Sequence, residues 1–256
     1  MSIPSIYFKF ISNEKIVLFL YKIGFTLQLI LDTKTPFKYK RLLWQVRNNT
    51  MVNYPRLVNV LTTADAVVAN NVAGNYVECG VWKGGCSALF AYKAHEEDKN
   101  RVTHLFDSFE GLPEPTVEDG QGAHTFADGK STGDLSSINK NVGTQDDVQR
   151  LFAKLNLTNF KVIKGWFQDT LPENKSTINS IAILRLDGDW YESTKVCLEH
   201  LYDKVSVGGY ILIDDYNFWP GCKKAVDEFF ANRGIIPEIK RIDASGISIK
   251  KEQGHR

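Results

Sequence analysis

The chain has 256 residues, of which 43% are hydrophobic and 24% are charged, and this length can bury one sizeable core as a single α/β domain. Its 31 basic residues nearly balance its 30 acidic ones, so the charge gives no reason to expect nucleic acid as a partner and favours a small acceptor molecule. The four cysteines lack CxxC spacing and three of them lie among apolar or small residues, which favours free thiols and a cytoplasmic location.

Residues 1–45 are rich in aromatic and basic side chains and contain no cluster of catalytic residue types. We interpret them as a helical appendage that packs on the main domain or on a second copy of the chain, as in a homo-oligomer. Attachment to a membrane surface is the alternative, and it calls for a cleaner polar face. The apolar run 16–31 is interrupted by Lys22 and is shorter than the roughly 20 residues of a spanning helix, so we expect no stable membrane insertion. No small-residue cleavage site follows it, which argues against a signal peptide.

Strands and helices alternate from Asn75 onward, which predicts a doubly wound, mostly parallel sheet with helices on both faces. The apolar patterns predict helices over 84–97 and from Thr144, where a capping-box signature opens the second. They predict strands over 76–81, 102–109, 161–167, 181–186 and 210–213.

The first predicted strand ends in a turn with three glycines, within Glu78-Cys79-Gly80-Val81-Trp82-Lys83-Gly84-Gly85, and such a turn lets the backbone approach a ligand closely. Its spacing is not GxGxxG, and the acidic Glu78 would repel a pyrophosphate but attract an ammonium or sulfonium group. About 20 residues later Asp107 ends the second strand, where a carboxylate can accept hydrogen bonds from ribose hydroxyls. Together these features favour S-adenosylmethionine over NAD, although the turn alone also occurs in purely structural connections.

The stretch from residue 110 to about 143 holds many glycines and prolines and shows little periodicity. Connections of this length are usually lids or disordered excursions. Because it follows a strand end directly, we predict a lid over the site.

Two apolar runs, 184–189 and 211–215, each end in a pair of carboxylates. Buried parallel strands open their carboxyl ends into one crevice, so we expect the four acids to meet there. Oxygen ligands without histidine or cysteine suit Mg²⁺, and we predict Asp187, Asp214 and Asp215 as its ligands, with Asp189 as general base on an acceptor hydroxyl. Any one of these aspartates could cap a helix instead, but four uncompensated like charges together would cost stability.

Two other functions fit parts of this pattern. The tripeptide Asp187-Gly188-Asp189 is also the DxD motif with which metal-dependent glycosyltransferases hold a nucleotide sugar, although the second acidic pair and the ribose-type acid favour a methyltransferase. The non-enzyme alternative is a cofactor-binding protein without turnover, against which the four retained acids argue.

The motifs at 78–85, 107–113, 164–172, 184–194 and 208–216 resemble, in order, those of the macrocin O-methyltransferase family. The resemblance covers about residues 50–243 and implies a Rossmann-like class I methyltransferase domain, here 46–256, that uses S-adenosylmethionine and Mg²⁺ to methylate sugar hydroxyls. It implies the same metal ligands and base as above. We expect the acceptor to be a sugar hydroxyl in a surface polysaccharide or secondary metabolite. The cofactor residues that it implies are Thr50, Met51, Glu78, Cys79, Gly80, Val81, Trp82, Asp107, Ser108, Phe109, Gly111, Gly165 and Trp166.

Overall fold

Helices and strands alternate along the chain from β1 onward, as the apolar periodicity predicts. The computed structural model describes residues 14–97, 101–130 and 132–253, so residues 1–13 of the predicted appendage lie outside it. The helices are α1 (Glu14–Leu31), α2 (Phe37–Val46), α3 (Tyr54–Ala69), α4 (Gly85–Glu96), α5 (Gly120–Phe126), α6 (Gln145–Lys154), α7 (Phe167–Asn174), α8 (Tyr191–Leu201) and α9 (Pro220–Asn232). The strands are β1 (Asn75–Cys79), β2 (Thr103–Asp107), β3 (Phe160–Lys164), β4 (Ile181–Leu186), β5 (Val205–Ile213), β6 (Ile239–Arg241) and β7 (Ile247–Lys250).

These strands form one sheet in the order β3-β2-β1-β4-β5-β7-β6. The first five positions are parallel, whereas β7 runs antiparallel to both β5 and β6. The direction of winding reverses between β1 and β4, which are neighbours in the sheet, and such a switch point is where open α/β sheets bind ligands. The doubly wound, mostly parallel sheet is therefore confirmed.

The strand boundaries differ from the predicted ones where special backbone conformations intervene. The predicted strand 161–167 stops at Lys164, because Gly165 has a φ of 141° and Trp166 is already the N-cap of α7. β5 begins five residues earlier than predicted, and Gly208 within it has a φ of 83°. β6 and β7 are not predicted; β6 has three residues, all of them exposed, so no alternation marks it.

Apolar side chains cover both faces of the sheet in two clusters. Consecutive strand residues point to opposite faces, so Val77 and Leu184 belong to one cluster while Tyr76 and Ile183 belong to the other. Helices α8 and α9 pack on the first cluster, and α2, α3 and α4 pack on the second. The helices lie on both faces of the sheet, as predicted, and the carboxyl ends of the strands are left open for a site.

The two N-terminal helices differ in how deeply they are buried. Helix α2 buries Leu42, Leu43 and Val46 in the second cluster, so it continues across the predicted boundary after residue 45. Helix α1 buries Phe25 against Tyr54, with ring centroids 5.5 Å apart. Among the residues that the structure describes, none of the helices has the length and apolar character needed to cross a membrane.

The described part of segment 110–143 is folded against the domain. Its helix α5 places Ala123 and Phe126 in the first cluster, and Pro113 forms an antiparallel bridge with Ser137. Thr144 then caps α6 by accepting a hydrogen bond from the Asp147 N–H at 3.1 Å, as the capping signature predicts.

Candidate active site

A cavity of about 520 Å³ opens beyond the carboxyl ends of the parallel strands. Fourteen of the residues that the sequence analysis singles out line it: Thr50, Met51, Glu78, Gly80, Val81, Trp82, Asp107, Ser108, Gly111, Trp166, Asp187, Asp189, Asp214 and Asp215. The glycine turn and the acidic pairs, which are more than 100 residues apart in the chain, thus share one cavity.

Three of the predicted cofactor residues do not line the cavity. Cys79 is fully buried in the first apolar cluster, and Phe109 is buried in the second. Gly165 instead donates its backbone N–H to the carbonyl of Asp107 at 3.0 Å, which ties the end of β3 to that of β2. The roles of these residues in the structure are packing and backbone geometry.

The carboxylate of Asp107 organises the turn that follows β1. It accepts hydrogen bonds from the N–H groups of Val81 at 2.6 Å, Trp82 at 2.9 Å and Phe109 at 2.7 Å. Burial raises the pKa of Asp107, and these three donors act against the rise. Since a carboxylate has about four acceptor sites, one is left for a ribose hydroxyl.

Gly80 and Trp82 shape the cavity wall beside this turn. A Cβ atom on Gly80 would lie 1.9 Å from the backbone oxygen of Asp187, so only glycine lets the ends of β1 and β4 meet here. The indole Nε1 of Trp82 is buried and has no hydrogen-bond partner among the described residues. This leaves a donor in a residue that lines the cavity.

The predicted role of Glu78 needs correction. Its side chain is 1% exposed, its Oε1 lies 2.6 Å from Nη1 of Arg185, and its other oxygen accepts the hydroxyl hydrogen bond of Ser87. Burial raises its pKa to about 7, against the opposing effect of Arg185. Glu78 therefore offers no free charge to a sulfonium group, because a buried guanidinium already compensates it.

Asp187, Asp214 and Asp215 come together as predicted, with one carboxylate oxygen of each within 4.8 Å of the others. Oδ2 of Asp215 is buried and has no hydrogen-bond partner among the described residues. Burial, followed by the charges of Asp189 and Asp214, raises the pKa of Asp215. An orphaned carboxylate oxygen facing two other acids is costly unless a cation neutralises it, and an all-oxygen donor set fits Mg²⁺.

Two buried arginines, neither of them singled out from the sequence, offset part of this charge. Arg185 donates to Oδ2 of Asp187 at 2.9 Å and also pairs with Asp214. Arg56 pairs with Asp214 and lies 2.9 Å from Asp243. The sequence could have indicated Arg185, because it is the one charged residue inside the apolar strand β4. No pattern in the sequence indicates Arg56. Two guanidinium groups interact with five carboxyl groups in this region, so the arginines are outnumbered: Glu78, Asp187, Asp214, Asp215 and Asp243.

Asp189 stands apart from the three clustered ligands. Its Oδ1 accepts a hydrogen bond from Trp219 Nε1 at 2.7 Å, and its backbone has a left-handed φ of 59°. Burial, together with the charge of Asp187, raises the pKa of Asp189 to about 8. A carboxyl group that exchanges its proton near neutral pH is suited to general base catalysis.

The segment 110–143 is fastened to the residues that follow Asp189. Trp190 Nε1 donates to the carbonyl of Pro113 at 2.9 Å, and the Tyr191 N–H donates to the buried Asp119 at 2.6 Å. Five of its residues form part of the cavity wall: Gly111, Leu112, Pro113, Phe126 and Asn141.

Helix α1 also reaches the cavity, which the sequence did not indicate. Val17 lines the cavity wall. The hydroxyl of Tyr21 is buried, and burial raises its pKa, while a hydrogen bond with Thr50 and the charge of Arg56 act against the rise. The N-terminal segment is therefore part of the site's surroundings.

We expect Arg185→Met to lower the free energy of unfolding by about 3–5 kcal/mol, because it leaves the buried Glu78 and Asp214 and the partly exposed Asp187 without their shared partner. Arg150→Met is the matched control, since Arg150 is 70% exposed and pairs with Asp147 at 2.8 Å. Loss of such a surface pair costs at most about 1 kcal/mol. Urea denaturation of both variants measures the difference, and equal losses would contradict the buried role of Arg185.

Comparison with known proteins shows the family to which the chain belongs. The family model described as Macrocin-O-methyltransferase (TylF) matches residues 36–251. Demethyldecarbamoylnovobiocin O-methyltransferase of Streptomyces niveus is 38% identical over 208 residues, which cover 80% of this chain and 76% of that protein. The 8-demethyl-8-(2,3-dimethoxy-alpha-L-rhamnosyl)-tetracenomycin-C 4'-O-methyltransferase of Streptomyces olivaceus is 34% identical over 212 residues, covering 80% of this chain and 76% of that protein.

Among solved structures, that of the O-methyltransferase NovP superposes with a TM-score of 0.71 at 31% identity. The match covers 94% of this chain and 100% of NovP. The fold is therefore the Rossmann-like class I methyltransferase fold, as the resemblance implies. With a family match over most of its length, this chain is an O-methyltransferase and belongs to the macrocin O-methyltransferase family.

Proposed function

We propose that this enzyme transfers a methyl group from S-adenosylmethionine to a hydroxyl of a sugar or glycosylated small molecule, with Mg²⁺ at the acid cluster. The observation that carries the proposal is the convergence of Asp187, Asp214 and Asp215 beside Asp189, in the cavity that the glycine turn also lines. The names of the relatives support the acceptor class, since one refers to a rhamnosyl group and the other to demethyldecarbamoylnovobiocin.

The residues around the turn would hold S-adenosylmethionine. Gly80 lets the backbone approach the ligand, and Asp107 has an acceptor site left for a ribose hydroxyl. The free Nε1–H of Trp82 and the half-buried Trp166 ring supply a donor and an apolar surface at the cavity wall. This set matches a ligand with a ribose, a flat base and a polar tail.

Asp187, Asp214 and Asp215 would hold Mg²⁺, which when bound would lower the pKa of an acceptor hydroxyl. Asp189 takes the hydroxyl proton as the oxygen–carbon bond to the methyl group forms and the sulfur–carbon bond breaks, leaving S-adenosylhomocysteine. Trp219 keeps the Asp189 carboxylate oriented for this proton transfer. Arg185 and Arg56 keep the metal-binding carboxylates in place, and much of the rate enhancement comes from such positioning.

The glycosyltransferase alternative loses its structural basis. In a DxD motif both aspartates serve the metal and the nucleotide sugar, whereas here Asp189 is outside the three-residue cluster and is bonded to Trp219. A non-catalytic cofactor-binding protein is equally disfavoured, because the relatives are named as enzymes and all four acids line the cavity.

Calorimetry with S-adenosylmethionine and with a UDP-sugar tests the proposal. We expect S-adenosylmethionine and S-adenosylhomocysteine to bind and the UDP-sugar not to bind. Incubation with methyl-labelled donor and demethylated glycosides, followed by mass spectrometry, should then show one added methyl group on an acceptor oxygen. Binding of the UDP-sugar without binding of S-adenosylmethionine would contradict the proposal.

We also infer a cytoplasmic location for this reaction. All four cysteines are free and buried, which supports a reducing compartment. A homo-oligomer stays a prediction, and light scattering of the purified chain would test it.

A further inference from the structure

Helix α1 turns a broad apolar face to solvent. The exposed fractions reach 64% for Phe19, 69% for Ile30 and 75% for Leu31. Leu20, Ile23 and Leu27 are exposed by 46–55%. At 3.6 residues per turn these six side chains fall within an arc of about 120°, while the buried Phe25 lies on the opposite side. The helix thus packs one face against the protein and exposes an apolar face on the opposite side.

Basic residues predominate around this apolar face, since residues 14–47 hold seven lysines and arginines and two acids, Glu14 and Asp32. Lys15 and Lys22 lie along one edge of the arc, and Lys34 and Arg41 follow it in the chain, all of them exposed. The one acid within residues 15–47 is Asp32, which is half-buried and already accepts hydrogen bonds from the Lys34 N–H and the Tyr54 hydroxyl. The surroundings of the face are therefore basic and complementary to an anionic surface.

We propose that α1 docks on the surface of an anionic lipid bilayer. A helix with an apolar arc and basic residues at its edge lies in the interface, with the apolar side chains among the acyl chains and the lysines at the headgroups.

A second copy of this chain fits the face less well. A two-fold dimer sets the same surface of each subunit against itself. Here it would bring the lysines at the edge of one arc close to those of the other, with no exposed acid within residues 15–47 to compensate them. Like charges set against each other weaken an interface, whereas acidic headgroups would pair with every one of these lysines.

If the proposed function holds, docking of α1 would also determine which acceptors reach the cavity. The same helix contributes Val17 to the wall of the cavity. A docked α1 would therefore bring the cavity next to the bilayer, where glycans carried on lipids would be accessible to it. Bilayer binding itself does not depend on the reaction, so the two can be tested separately.

Sedimentation of the full chain with lipid vesicles tests the proposal. We expect binding to vesicles that contain about 30% phosphatidylglycerol, little binding to pure phosphatidylcholine, and weaker binding as the salt concentration rises. Lys15→Gln with Lys22→Gln should weaken binding about fivefold per lysine, from roughly 1 kcal/mol each. Phe19→Gln with Leu27→Gln should weaken it at least about tenfold.

Ile236→Gln is the matched control, because Ile236 is an apolar side chain that is 93% exposed and lies far along the chain from α1. We expect this variant to bind the vesicles like the unmodified chain. Equal binding to neutral and acidic vesicles, or none to either, would overturn the proposal. The proposal would also be overturned if the chain does not bind vesicles and light scattering shows a dimer that the double substitution Phe19→Gln with Leu27→Gln dissociates.

Discussion

Asp189→Asn should reduce kcat by about 10²–10⁴-fold while binding of S-adenosylmethionine is retained. The substitution removes the proton acceptor and changes little else. An amide oxygen can accept the 2.7 Å hydrogen bond from Trp219, and asparagine tolerates the left-handed φ of 59° at this position. Turnover should therefore fall, while the melting temperature and the cofactor affinity measured by calorimetry should not fall.

The control for this variant is Asp146→Asn, in the exposed first turn of α6. We expect it to have the activity of the unmodified enzyme. If Asp189→Asn keeps its turnover within a few-fold of the original, another group accepts the proton and Asp189 only orients the acceptor. Loss of cofactor binding together with turnover would likewise count against the assigned role.

Asp215→Asn should raise the Mg²⁺ concentration needed for half-maximal activity well beyond tenfold, since loss of a supporting partner alone costs about 10–100-fold in metal affinity. Oδ2 of Asp215 has no partner among the described residues, so the metal is the group that would satisfy it. Without metal, the same variant should be more stable than the original, because it removes a carboxyl group whose pKa is raised by burial and by the charges of Asp189 and Asp214.

Both effects are measured by thermal unfolding and by activity across a Mg²⁺ titration after chelation. Asp203→Asn, at a 63% exposed side chain that pairs with Arg233, is the control and should leave the metal dependence unchanged. Full activity in the presence of a chelator would contradict a metal-dependent reaction. A metal-free Asp215→Asn that is less stable than the original would show that the arginines already compensate the cluster.

The placement of the four acids could be predicted from the sequence because it follows from local pattern and sheet topology. Apolar strands that end in carboxylates, at neighbouring positions of a parallel sheet, must open into the same crevice. The charge balance of the site could not be predicted in this way. Arg185 reaches Glu78 across 107 residues of chain and Arg56 reaches Asp214 across 158, and no spacing rule indicates such pairs.

The contacts of segment 110–143 could likewise not be predicted from the sequence. Its glycines and prolines predict a long excursion, and its position predicts a lid, but its contacts depend on side chains elsewhere. The carbonyl of Pro113 is held by Trp190, and Asp119 is held by the backbone of Tyr191, both far along the chain. The sequence places the excursion correctly and leaves its anchors unspecified.

The account depends most on a divalent cation at the acid cluster, and anomalous diffraction from crystals grown with Mn²⁺ and S-adenosylhomocysteine tests this directly. Mn²⁺ prefers the same oxygen ligands as Mg²⁺ and can be located by its anomalous signal. We predict one strong peak bound by Asp187, Asp214 and Asp215, in the cavity that holds S-adenosylhomocysteine. A map without a peak there, in which Arg185 and Arg56 alone satisfy these carboxylates, would contradict it.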